Sequence, residues 1–213
     1  MAHFRLGQPL VFGLALVMLV SSCSDADSSS TTSSVVDLEI RADGIGAVDL
    51  GQPPGPALAE LNSFFGEPDI DSGWIPAASP LYGTCPGLAM RATGWGSLYA
   101  FFVSDSPEIS GDNEDISARL FSFSYGYDFN RNEGATDPRG LNLTTADGIG
   151  LGSTRAELRI LHDNALTEAY SATADTWTWE LSTGSGELRG LFDGPDDDAE
   201  VVLMETTPGC EIG

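Results

Sequence analysis

The chain of 213 residues contains no lysine, and all nine of its basic residues are arginines. The 32 aspartates and glutamates outweigh them and leave a formal net charge of −23 at neutral pH. Phosphate backbones are bound by basic surfaces, so this lack of positive charge predicts that nucleic acid is not a partner. The excess of carboxylates is typical of a solvated coat that keeps a protein soluble, and acidic surfaces that bind cations are the alternative.

Histidine is scarce as well, and His162 is the only one after residue 22. A Cys/His zinc site needs about four ligands, so we expect no metal and no cofactor. The sequence also lacks a Gly-x-Ser-x-Gly elbow and a phosphate-binding loop. His162 falls near the end of a predicted helix, where its charge would complement the helix dipole. These absences favour a protein that is not an enzyme.

The chain has only one long apolar run, residues 10–20. This run is too short to span a bilayer, which needs about 20 residues. It follows a short head carrying Arg5 and ends in Val20-Ser21-Ser22-Cys23, a pattern typical of a secretory signal peptide. The small-small-Cys ending resembles the bacterial lipobox, in which the cysteine is acylated and becomes the new N-terminus. An ordinary signal peptide that ends near a cysteine is the alternative.

Residues 24–34 are almost wholly serine, threonine and aspartate. Such a segment buries no side chain that would offset the entropy of ordering its backbone, so it is typical of a flexible tether. We therefore predict a signal peptide at 1–22, a tether at 23–34 and lipidation, including palmitate, at Cys23. The lipid anchor at Cys23 makes the membrane a partner and places the protein on the extracytoplasmic face of the cell membrane.

Two cysteines remain once Cys23 is assigned to the lipid. Cys85 and Cys210 form an even pair in an exported chain, and oxidising compartments favour disulfides. Their bond would close a loop of about 125 residues. Two free thiols or a shared metal are the alternatives, and the metal would need further ligands. We predict the Cys85–Cys210 disulfide.

The remainder of the chain reads as two copies of one unit, repeat 1 at 35–140 and repeat 2 at 141–213. Ala42-Asp43-Gly44-Ile45-Gly46 recurs as Ala146-Asp147-Gly148-Ile149-Gly150, and a helical pattern follows each copy. Thr154 and Glu157 form a predicted capping box in repeat 2. The predicted apolar stripes of the helices are Leu58, Leu61 and Phe65 in repeat 1, and Leu158, Leu161 and Ala165 in repeat 2.

Each helical pattern is followed by a hairpin around a Gly-x-Gly turn, a polar acidic loop and a last strand. The predicted strands are Val36–Ile40, Leu88–Thr93, Leu98–Val103 and Arg119–Tyr127 in repeat 1, and Leu141–Leu143, Thr176–Leu181, Leu188–Phe192 and Glu200–Thr206 in repeat 2. The fold class is therefore α+β: two tandem repeats, each a helix packed on a three- to four-stranded antiparallel sheet. So small a unit is not stable alone, and we expect the repeats to share one sheet or to pack sheet to sheet.

The Gly-Ile-Gly and Leu-Gly entry to a helix, followed by antiparallel strands, resembles the tandem units of secreted lipoproteins of actinobacterial type. It is also similar to the α+β repeats of the β-lactamase inhibitor protein and, more distantly, to small outer-membrane assembly lipoproteins. The resemblance covers about residues 36–213 and implies an α+β repeat fold. The matching residues belong to the fold, so the resemblance assigns no functional residue.

Aromatic residues alternate along two of the predicted strands. Phe121, Phe123, Tyr125 and Tyr127 share one predicted face in repeat 1, as do Trp177, Trp179 and Leu181 in repeat 2. We expect both rows to lie under the helices, and an open aromatic surface for a protein partner is the alternative.

Two acidic segments are candidate cation sites. Asp128 to Glu133 begins like a calcium loop, but Glu133 stands where the sharp turn needs glycine and Arg139 where the bidentate glutamate belongs. Asp196, Asp197 and Asp198 fall in a hairpin loop and are expected to be solvated. No cation site is predicted at either segment.

Together these features predict a lipid-anchored, non-enzymatic binding or scaffold module outside the cytoplasmic membrane, with a protein partner in the cell envelope. An inhibitor of an extracytoplasmic enzyme is the first alternative, and an aromatic-rich open sheet face would favour it. A cell-envelope hydrolase is the second, and it would require a deep pocket with converging carboxylates.

Overall fold

The computed structural model describes residues 38–106, 117–128, 133–134, 139–172 and 175–210. The predicted signal peptide, tether and lipidation site at Cys23 lie outside the described residues. Within the described ranges, no helix is long and apolar enough to cross a membrane.

An antiparallel sheet of nine strands is the framework of the α+β fold. Its strands are β4 (Ile70–Asp71), β5 (Ile75–Ser79), β6 (Gly83–Trp95), β7 (Leu98–Ser104), β8 (Arg119–Tyr125), β11 (Leu166–Ser171), β12 (Thr176–Thr183), β13 (Gly186–Phe192) and β14 (Val201–Thr206). The spatial order is β11-β12-β13-β14-β8-β7-β6-β4, and β5 also pairs with β6. The last strand of each half, β8 and β14, therefore meet at the middle of the sheet.

Five short strands stand outside this sheet. They are β1 (Ile40–Arg41), β2 (Gly44–Ile45) and β3 (Val48–Asp49), which form a small three-stranded sheet, and β9 (Tyr127–Asp128) and β10 (Glu133–Gly134), which pair with each other. The amide of Ile40 donates to the carbonyl of Thr144 at 2.7 Å. This bond joins the segments that carry the two Ala-Asp-Gly-Ile-Gly motifs.

Two helices cover one face of the sheet, which we call the helix face. Helix α1 (Pro54–Phe65) begins at a proline-rich turn and ends at Gly66, whose φ is 76°. Helix α2 (Arg155–His162) begins at the predicted capping box, since the Thr154 side chain accepts from the Glu157 amide and the Glu157 side chain accepts from the Thr154 amide. Leu61 and Leu158 are buried in one cluster with Phe123 and Trp179 of the sheet.

The apolar stripe predicted for the second helix is wrong in part. Leu158 is fully buried, but Leu161 is 51% exposed and Ala165 lies beyond the last helical residue. The helix has only eight residues, so it presents a single buried turn to the sheet. The stripe predicted for α1 is confirmed, because Leu61 is buried and Leu58 and Phe65 pack against the same cluster.

The strands predicted ahead of the helices also differ from the structure. Leu141–Leu143 forms no strand, and the neighbouring Thr144 makes only isolated bridges to Glu39 and Gly150. Of Val36–Ile40, only Ile40 belongs to a strand among the described residues. Both segments lie at the edge of the small sheet, where few backbone partners are available.

The aromatic row predicted for the last strand of the first half is divided between the two faces. Pairing moves from Phe101 with Ser122 to Phe102 with Leu120, so Phe121 has no residue opposite and forms a bulge. Phe123 and Tyr125 are buried under the helices, as expected, whereas Phe121 packs on the other side of the sheet. Tyr127 packs there too, beyond Gly126 at φ 110°.

The second face of the sheet, which we call the far face, has its own apolar cluster in the first half only. The first residues of β6 pair with β5 and extend beyond β7. This extension places the Tyr82 ring 6.3 Å from that of Phe101, edge to face. Cys85 and Cys210 form the predicted disulfide, with their Cα atoms 4.4 Å apart. The hairpin and the disulfide thus cover the far face of β6 and β7.

Candidate functional site

The far face of β12, β13 and β14 has no comparable cover among the described residues and forms a cavity of about 540 Å³. Residues of these three strands and one cysteine line this far-face cavity: Thr178, Trp179, Glu180, Arg189, Gly190, Leu191, Leu203, Glu205 and Cys210. Among the described residues the β5–β6 hairpin that covers the first half has no counterpart here, and only four residues separate the end of β11 from the start of β12. The disulfide-bonded segment at Cys210 supplies one wall.

Backbone forms part of the cavity floor. A side chain at Gly190 would place its Cβ 1.9 Å from the Leu203 carbonyl oxygen and 2.4 Å from the Trp179 ring. Only glycine fits there. Trp179 itself is fully buried on the helix face.

A polar row crosses the cavity from strand to strand. Glu180 of β12 stands opposite Arg189 of β13, which stands opposite Glu205 of β14. The Arg189 Nε donates to Glu205 Oε2 at 3.2 Å. Glu180 is exposed at the rim, whereas the side chain of Glu205 is only 11% exposed. The row therefore presents one ion pair, in which Glu205 is buried and Arg189 is partly exposed, and one outer carboxylate.

Burial raises the pKa of Glu205 above its ordinary value, and the ion pair with Arg189 offsets this only in part. The proton is therefore held to higher pH in the folded than in the unfolded chain. The stability that this group contributes is present below its ordinary pKa and is lost as pH rises through the raised folded pKa. A carboxyl group whose ionised form is disfavoured by burial in this way is a common mark of a functional cleft.

The chemistry of the cavity suits recognition. Leu191 and Leu203 supply apolar surface beside the polar row, and within the described part of the chain no three His, Cys, Asp or Glu side chains are grouped to hold a metal. Arg189 lies between the two glutamates, so they do not converge as a bare acid pair. The arrangement fits a polypeptide surface with apolar and charged groups.

The structure gathers few of the sequence-predicted residues at this cavity. Cys210 lines it, and Cys85 holds Cys210 in place. His162 ends α2, with its Nε2 3.7 Å from the Asp147 carboxylate, and is remote from the polar row. Asp196, Asp197 and Asp198 of the acidic loop are exposed, as expected, and Asp197 also forms an ion pair with Arg159. Most of the segment weighed as a calcium loop, residues 129–132, lies outside the described residues.

Glu180, Arg189 and Glu205 were missed by the sequence analysis. The signal available was the alternation of polar and apolar residues along β12, β13 and β14, which puts all three on the face away from Trp179 and Met204. This alternation did not identify a site, because charged residues on strands usually lie on a solvated face and have no binding role. Their significance depends on the far face being covered in one half and open in the other, which only the fold shows.

Comparisons of the chain with protein-family models, with curated proteins and with solved structures gave no match.

Proposed function

We propose that the protein is a lipid-anchored, non-enzymatic binding module on the extracytoplasmic face of the cell membrane, and that the far-face cavity is its binding surface. The signal-like residues 1–22, the lipobox-like ending at Cys23 and the polar tether support the anchor. The observation that carries the binding role is the difference between the two halves of the sheet. One half has its far face covered by a disulfide-bonded hairpin, and within the described part of the chain the other half has no such cover.

We further propose that the two halves are diverged repeats. The first comprises α1 and β4 to β8, and the second comprises α2 and β11 to β14. In both, a helix is followed by outer strands, a hairpin and a last strand at the middle of the sheet. Duplication supports the proposed role because one copy can retain the packing while the other acquires a ligand surface.

The proposed partner is a cell-envelope protein that presents a basic group beside apolar side chains. Glu180 is exposed and Arg189 of the polar row is committed to Glu205, so the outer carboxylate is available for a cationic group. The net charge of −23 also favours association with a basic partner. An inhibitor with an aromatic contact surface is less well supported, since Phe123, Tyr125 and Trp179 are buried on the helix face.

Replacing Cys23 with serine is expected to release the protein from membranes. Acylation needs the thiol, and the polar tether that follows has no large apolar side chain to hold the chain on a bilayer. Fractionation of cells and mass spectrometry of the N-terminal peptide measure the outcome, with Ser30→Ala in the tether as the control that stays membrane-bound. A Cys23→Ser protein found in the membrane fraction at the wild-type level contradicts the anchor.

A photo-crosslinking amino acid at Leu191 is expected to give discrete protein adducts in intact cells. The adducts should be suppressed by Glu180→Arg, which reverses the outer charge of the cavity without touching its floor. The control position is Ile160, which is 80% exposed on α2, away from the cavity; any adduct formed there should be indifferent to Glu180→Arg. Absence of discrete adducts at Leu191, or adducts that persist unchanged in Glu180→Arg, contradicts the proposed surface.

A further inference from the structure

Among the described residues β11 is the edge strand of the second half of the sheet, and its pairing is unusually regular. All six of its residues pair with β12, from Leu166 opposite Leu181 to Ser171 opposite Thr176, without a register shift. The strand contains no proline, lysine or bulge, which are the features by which natural edge strands avoid pairing with other chains.

The direction of its backbone groups follows from one hydrogen bond at its start. The Ser182 amide donates to the Ala165 carbonyl. The backbone amides and carbonyls of the odd-numbered residues of the strand therefore point towards β12. The amides and carbonyls of Leu166, Glu168 and Tyr170 therefore point away from the sheet. Among the described residues, no backbone hydrogen bond outside the β11–β12 pairing uses them.

The opposite edge of the sheet is protected. Strand β4 has only two residues, and β5 carries Pro76 together with a register shift before Ala78. An added strand could not pair along it. The two edges thus differ in the feature that decides whether a sheet can be extended.

On the helix face of the β11 edge, acidic and basic side chains form ion pairs with one another. Glu168 accepts hydrogen bonds from Arg155 and Arg159, and Arg159 also pairs with Asp197. Thr167 and Ala169, on the far face of the strand, are exposed and uncharged. The charges around Glu168 on the helix face of this edge therefore balance, and the nearest other carboxylates are Glu180, opposite Thr167 in β12, and Asp175, which accepts from the Tyr170 hydroxyl.

We propose that β11 pairs antiparallel with β11 of a second copy of this chain, with Ala169 at the two-fold axis. The hydrogen-bond ladder can form only in registers that place residues whose backbone amides and carbonyls point outward opposite one another. In this register Glu168 exchanges backbone hydrogen bonds with Tyr170 of the second copy, Thr167 stands opposite Ser171, and Ala169 faces its own equivalent. No like charges are opposed, and the smallest side chain lies where Cα atoms are closest, about 4.5 Å apart.

A second copy fits this edge better than a basic foreign strand because every opposed pair is compatible and the interface is self-complementary, as a two-fold dimer requires. The paired sheets would run through both molecules. The far-face cavities, each lined by Thr178 and Glu180 of the neighbouring strand, would then lie on one continuous surface.

Sedimentation of the full chain carrying Cys23→Ser tests the proposal between about 1 μM and about 1 mM, the range that spans weak association. The weight-average mass is expected to rise towards two chains, and to do so at lower concentration in high salt, which screens the repulsion between two chains of charge −23. Ala169→Lys should leave a monomer at every concentration. Ala78→Lys, the same change at an exposed site on the opposite edge, should associate like the parent.

The register is tested by cysteine cross-linking in the same background, where Cys85 and Cys210 are already bonded to each other. Ala169→Cys should form a disulfide-linked dimer under mild oxidation, since its Cα separation lies in the range that a disulfide accepts. Thr167→Cys should not, because its equivalents would be about four residues apart along the strands. A chain that stays monomeric at about 1 mM without an Ala169→Cys cross-link, or a dimer that Ala169→Lys leaves intact, overturns the proposal.

Discussion

Removing the Cys85–Cys210 disulfide is expected to lower the free energy of unfolding by up to about 5 kcal/mol, which exceeds a third of the stability of most domains. The bond joins residues 125 positions apart, so in the unfolded state it restrains a long loop that includes most of the residues of the domain. Urea unfolding of the reduced and oxidised forms of the wild-type chain measures the difference. The reduced form keeps both thiols and therefore isolates the cross-link from the packing of the side chains.

The far-face cavity should respond as well, because Cys210 forms its wall. Cys85→Ala with Cys210→Ala should reproduce the reduced protein to within the roughly 1 kcal/mol that two small buried side chains contribute. Adducts from the crosslinker at Leu191 should weaken in this double variant under conditions where it remains folded. Equal urea midpoints for the oxidised and reduced wild-type proteins contradict the expected role of the bond.

The parts of the fold that were predictable from sequence are those set by local chemistry. The Thr154–Glu157 capping box and the two hairpins depend on neighbouring residues, and the structure has each of them. The disulfide followed from the number of cysteines and the presumed compartment. These features need no knowledge of what lies across the sheet.

The parts that were missed depend on tertiary context. The bulge at Phe121 arises where β8 adjusts to β7, and a strict alternation of aromatic residues does not reveal it. Strand β11 has its two large side chains, Leu166 and Tyr170, on one face and only small or polar residues on the other, so it was not recognised. The far-face cavity depends on the length of the β5–β6 hairpin, which covers one half of the sheet and has no equivalent among the described residues of the other half.

The far-face cavity and the β11 edge both lie in the second half of the sheet, and both depend on the rigidity of its strands. A binding surface built on three strands needs those strands to be held rigidly, yet α2 contributes a single buried turn. The strands are tied instead by the guanidinium of Arg155, which is 3% exposed and reaches from the helix to β11, β12 and the acidic loop. Its contacts are therefore the most consequential polar interactions in this half.

Arg155→Met is expected to cost about 3 kcal/mol of stability, the low end for breaking a buried ion pair. Arg155 donates to both carboxylate oxygens of Glu168, at 3.2 and 2.8 Å, and also to the Pro195 carbonyl. Its guanidinium carbon lies 4.2 Å from the centroid of the Trp177 ring. Methionine fills much of the volume but satisfies none of these acceptors, so chemical denaturation should show the loss directly.

The same substitution should change the acid limb of the stability profile. Burial of Glu168 opposes its ionisation, but hydrogen bonds from Arg155 and Arg159 outweigh burial and hold its pKa below the ordinary value. Stability from a lowered carboxyl pKa is present above the unfolded pKa and is lost as pH falls through the folded pKa. Without Arg155 the folded pKa rises towards the ordinary value, so the contribution of Glu168 shrinks and its loss on acidification begins at a higher pH.

Arg159→Met is the matched control, since Arg159 donates to the same carboxylate one helical turn away but has a side chain that is 41% exposed. An exposed partner is expected to contribute less than about 1 kcal/mol. Glu168→Leu added to Arg155→Met should recover part of the lost stability, because it removes a buried carboxylate that has lost its main partner. Equal losses from the two arginine substitutions would show that burial is not what makes Arg155 the anchor of α2, and the assignment would then fail.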